Sequence, residues 1–136
     1  MFKIRKEQID AFLPQDDSSR IDFIVEHLED EHNEYISDMP TRVLREMIAN
    51  GLKRARQYGF NELEDMTVFV TWMFIIAPNF DEQSELKHLL HEKTLSAGER
   101  IEKMLADGLD SSWDEAQDNY NSDAWFPELQ NEDEEK

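Results

Sequence analysis

The sequence predicts an all-α protein, a compact bundle of about five to seven helices around a central hydrophobic helix, with an acidic C-terminal tail. Three observations predict it. Apolar residues recur at helical spacing along most of the first hundred positions. Cap and stop residues fall where that spacing begins and ends. No Gly-rich or alternating apolar/polar segment asks for a sheet.

Taken in order, Lys6 to Leu13 reads as a short helix stopped by Pro14. Ser18 or Ser19 is the expected cap of the next, in which Ile21, Ile24, Val25, Leu28 and His32 share one face. Its other face, Asp22, Glu26, Glu29, Asp30 and Glu34, is a solvated surface. After the turn Asp38-Met39-Pro40-Thr41, an apolar stripe of Val43, Leu44, Met47, Ile48, Leu52 and Ala55 runs to Tyr58, and Gly59 supplies a left-handed helix end. Asn61 and Glu64 have the spacing of a capping box and open the most hydrophobic segment, Met66 to Ile76, which is apolar nearly all round. Its β-branched residues also suit a buried strand, but its length and its cap favour a helix. Pro78 and Asn79 end it. Glu82 to Leu90 suggests a short helix, and Ser96-Ala97-Gly98-Glu99 is a second capping box leading Ile101, Met104 and Leu105 to Gly108. Ser112 to Tyr120 adds a further turn or two.

Charge divides the chain. Of 136 residues, 32 are acidic and 14 basic, a formal charge of -18. Eleven of the acidic side chains but only one basic one, Lys136, lie in residues 107–136. Residues 1–106 therefore read as a helical domain and residues 107–136 as an acidic, aromatic-containing tail. This balance argues against direct contact with nucleic acid or an anionic membrane, both of which call for clustered Lys and Arg. With no cysteine, thiolate metal sites, disulfides and thiol nucleophiles are excluded. The stretch Met1-Phe2-Lys3-Ile4-Arg5-Lys6 lacks the apolar run of a signal peptide, and Met73 to Ala77 is far short of a membrane span, so a cytoplasmic protein is expected.

Candidate chemistry is sparse. Glu29/His32 and Glu85/His88 have the Glu-x-x-His spacing of di-iron bundles, yet such pairs arise by coincidence in so acidic a chain, and no metal or other cofactor is expected. The serines fall at caps and turns, and no nucleophile elbow, phosphate loop or dinucleotide fingerprint is present. The expectation is a non-enzymatic protein. Arg42, Arg45, Lys53 and Arg56 form a stripe on one helix, facing either the acidic side of the preceding helix, or an acidic partner or this chain's own tail. In the tail, Trp113, Tyr120, Trp125 and Phe126 alternate with Asp114, Glu115, Asp118 and Asp123. Aromatic anchors among acids suit docking on a basic partner, the first expectation, or packing back on the body, and an inert tail is the third reading.

The block Tyr58-Gly59-Phe60-Asn61-Glu62-Leu63-Glu64-Asp65-Met66, then Trp72-Met73-Phe74 and Pro78-Asn79-Phe80-Asp81, resembles the centre of a group of small helical bacterial proteins encoded beside spike and effector genes of type VI secretion systems. Ile4-Arg5-Lys6-Glu7-Gln8 and Leu95 to Ile101 extend the resemblance over residues 1–106. Ala77 stands where the group often has Gly, Asn61-Glu62 replaces a Thr-containing cap, and the acidic tail lies outside the resemblance. The resemblance implies no catalytic residues. It implies an accessory or chaperone that helps load a toxin on the spike, or an immunity protein that holds it inactive. Two other classes stay open: an acidic mimic of nucleic acid, and a metal-dependent helical enzyme using the two Glu/His pairs.

Overall fold

Helical periodicity, rather than any strand signal, organises the chain. A computed structural model describes residues 17–106 and 108–127, and among them there are six α-helices, three 3-10 turns and no strand. The expected helix at Lys6 to Leu13 lies outside the described residues. The helices are α1 (Asp17–Glu31), α2 (Thr41–Gln57), α3 (Leu63–Ile75), α4 (Ser84–Leu90), α5 (Ala97–Met104) and α6 (Asp110–Asp118). The 3-10 turns are Asn33–Tyr35, Phe80–Glu82 and Ser122–Trp125. The chain divides into two units between Ala49 and Asn50, inside α2.

In the first unit α1 buries Ile21, Ile24 and Leu28, the apolar face its spacing predicts. Ser18 and Ser19 lie inside its first turn instead of capping it. Ile36, Leu44, Met47 and Ile48 are also buried, whereas Val43 is exposed.

In the second unit α2 ends in a Schellman motif. Gly59, at φ +90°, donates its N–H to the Arg56 carbonyl at 2.9 Å, and Phe60 N–H reaches the Ala55 carbonyl at 3.0 Å. The central helix α3 starts after Glu62 with no side-chain cap. The expected Asn61–Glu64 box does not form, because the Asn61 amide turns back to the Gly59 carbonyl at 3.3 Å. Met66, Phe69, Val70 and Met73 of α3 are fully buried. A Cβ at Gly51 would fall 2.9 Å from a Val70 methyl, so the residue gives α2 the room to approach α3. The Ser96–Glu99 box forms in full, with Glu99 N–H on Ser96 Oγ at 3.2 Å and Ser96 N–H on Glu99 Oε1 at 2.9 Å. The residue that caps α4 is Gln83, which accepts from Leu86 N–H at 3.0 Å. α6 and the turn Ser122–Trp125, which the sequence assigns to the tail, fall in the same unit as α3, α4 and α5.

Candidate functional site

The segment Asn119–Trp125 is tied to the second unit by four hydrogen bonds from three side chains, and every one of them uses a backbone atom of the segment. Asn79 reads it twice, donating to the Asn119 carbonyl at 2.9 Å and accepting from Asn121 N–H at 2.9 Å. Arg54 donates to the Ala124 carbonyl at 2.5 Å and Asn50 to the Trp125 carbonyl at 2.9 Å. Arg54 also donates to the Pro78 carbonyl and stands 3.5 Å from Asp81 Oδ1. The buried Asp81 accepts from the Tyr58 hydroxyl at 2.7 Å. Burial first, and the Asp81 carboxylate second, push the Tyr58 hydroxyl well above the ordinary phenol range, so it stays a neutral donor.

Both tail tryptophans turn inward. Trp125 is 4 % exposed, its ring 4.5 Å from that of Phe74. Trp113 lies 4.9 Å from the Trp72 ring and 5.9 Å from Phe80, and its indole N–H donates to the Met104 carbonyl at 2.9 Å. Neither indole stands free in this structure: Trp125 is buried and Trp113 half-buried. An aromatic ring with an apolar partner at hand removes more surface from water by packing on it. Phe126 is half-buried. On the outside remain Tyr120, at 52 % exposure, and the exposed carboxylates of Asp114, Glu115, Asp118 and Asp123. These form an acidic face on α6 and the turn after it.

The four residues of the basic stripe differ in their immediate surroundings. Arg45 reaches Asp22 of α1 at 2.5 Å, the acidic face that the sequence offers it. Arg42, with 89 % of its side chain exposed, pairs with Glu46 one turn on at 3.5 Å. Lys53 is exposed and Arg56 half-buried.

His32 lies beside His27, with ring centroids 5.7 Å apart. Burial and then the His32 charge lower the pKa of His27. Among the described residues no group of three or more His, Asp or Glu converges as a metal site requires.

The residues of this network that sequence reasoning did not single out are Asn50, Arg54, Asn79 and Asp81. Arg54 did carry a signal. It lies seven residues after Met47 and four before Tyr58, on the apolar side of α2, where a cation needs a buried acceptor. Comparison with protein-family models, curated proteins and solved structures finds no match to the chain.

Proposed function

We propose that the chain is a non-enzymatic protein-binding partner that presents its acidic face to a basic protein surface. The observation that carries this reading is the exposed set Asp114, Glu115 and Asp118 on α6, with exposed Tyr120 and Asp123 on the segment that Asn79, Arg54 and Asn50 hold. Such a face speeds encounter with a cationic partner and disfavours nucleic acid and anionic membrane. No described helix is long and apolar enough to cross a membrane. The resemblance to proteins encoded beside type VI secretion genes makes a basic effector domain or a spike component the expected partner. The chain would meet it in the cytoplasm as accessory, chaperone or immunity protein, without a cofactor.

The test is affinity capture from the native bacterium at moderate salt, followed by mass spectrometry. A secretion component or toxin should co-purify. Changing Asp114, Asp118 and Asp123 together to Asn should then slow association roughly tenfold while the helical signal is kept. Capture of a nucleic-acid-binding protein that any polyanion displaces would replace this reading with mimicry of nucleic acid. Unchanged association by the triple variant would remove the acidic face from the account.

A further inference from the structure

The way residues 119–126 are held is the way a peptide is held in a groove. The main chain supplies all four polar ties to Asn50, Arg54 and Asn79, and one side chain, Trp125, goes deep against Phe74. Asn119, Tyr120, Asn121, Ser122 and Asp123 keep their side chains exposed. Main-chain bonds that give affinity and one pocket that gives selectivity are the division of labour in peptide recognition. The segment also braces itself: Asn121 Oδ1 accepts from Asp123 N–H at 3.0 Å, and the Trp125 indole N–H donates to the Tyr120 hydroxyl at 3.2 Å. An emptied groove would leave Arg54 Nη2 and the Asn79 amide without the carbonyls they now reach, while Arg54 Nη1 keeps the Pro78 carbonyl. Such a groove favours being filled.

We propose that Asn50, Arg54, Phe74 and Asn79 form a peptide-binding groove, filled in cis by residues 119–126, that takes a partner segment of the same chemistry: an Asx turn followed by one large aromatic side chain. The groove reads backbone, so the partner's sequence is free except at the Asx residue and the aromatic. None of the four ties involves a carboxylate, but Tyr120 and Asp123 of the acidic face lie on the segment that would be replaced.

The probe is a dye-labelled synthetic peptide of residues 119–127, titrated by fluorescence anisotropy into full-length chains. In the wild-type chain the cis segment competes at an effective concentration on the order of millimolar, so the peptide should bind at least roughly tenfold more weakly than it binds a full-length Trp125→Ala chain. The same peptide carrying Trp125→Ala should lose that binding. In the Trp125→Ala chain, a further Asn50→Ala change should weaken binding by about fivefold, the loss of one hydrogen bond. Equal binding by the two chains, or equal binding of the two peptides, overturns the proposal. So does a Trp125→Ala chain that loses its helical signal, since the segment would then be folding core and not a replaceable occupant. A wild-type chain that dimerises with concentration through this groove overturns the partner's peptide in favour of exchange between copies.

Discussion

Residues 17–49 carry their ion pairs on the outside: Arg45 with Asp22, Arg20 with Asp17, Arg42 with Glu46. Residues 50–127 turn two arginines inward and aim them at backbone carbonyls. Arg100, 7 % exposed, bridges the ends of two helices through one nitrogen, donating to the Tyr58 carbonyl at the close of α2 and the Leu90 carbonyl at the close of α4, both at 2.7 Å. Helix C-termini carry partial negative charge and unsatisfied carbonyls, so a cation there meets two needs together. Its guanidinium also lies 5.1 Å from the centre of the Phe60 ring. Around this run the contacts of Phe69, Trp72, Phe80 and Trp113. The same residue type thus does different physical work in the two regions. Exposed pairs are screened by water and contribute little, whereas a buried guanidinium on orphan carbonyls fixes where helices end relative to one another.

The contrast yields an order of effects. Phe80→Ala removes a fully buried ring from the aromatic network and should cost about 4 kcal/mol in urea unfolding. A loss under half of that would mean the second unit repacks easily. Arg100→Met keeps much of the stem but leaves two carbonyls without their donor, for an expected loss of about 3 kcal/mol by the same measurement. Tyr58→Phe should cost about 1–2 kcal/mol near neutral pH by removing the bond to Asp81. It also has a pH signature. The folded-state pKa of Tyr58 is raised, so its contribution is complete below the unfolded value near pH ~10 and is lost as pH rises through the folded value. Wild-type stability should therefore fall above that point more steeply than the variant's, and parallel curves would place the hydroxyl outside the buried cluster. Smallest is Arg45→Ala, at about 0.5 kcal/mol or less, because the pair with Asp22 is exposed on the aspartate side. If it costs as much as Arg100→Met, the contrast between the two regions fails.

Legibility in the sequence followed the range of the interaction. Gly59 and the Ser96–Glu99 box were readable because their partners lie within five residues, and both form as the spacing predicts. The Asn61–Glu64 box has equally good spacing and does not form, since Asn61 finds the Gly59 carbonyl nearer. Gln83 was missed as a cap because glutamine is not among the residues that ordinarily cap. The inward packing of Trp113 and Trp125 was one of three readings open for the tail, and composition could not choose among them. An aromatic among acids has the same sequence whether its pocket belongs to the chain or to a partner.

By itself the sequence determined that the chain is helical, where several helices start and stop, which faces are apolar, and that its C-terminal portion is strongly acidic. All of these follow from periodicity, local capping and charge, which act between neighbours. Only the tertiary structure decided that Arg54, Asn79 and Asn50 grip the segment after α6, that Arg100 closes two helices, and that the tail's indoles face inward while its carboxylates face water. The ties to that segment span 40 to 75 residues of sequence. A hydrogen bond at that range depends on how the helices between its partners pack. No local pattern encodes that distance, so a buried donor looks like any other polar residue until its acceptor is brought to it.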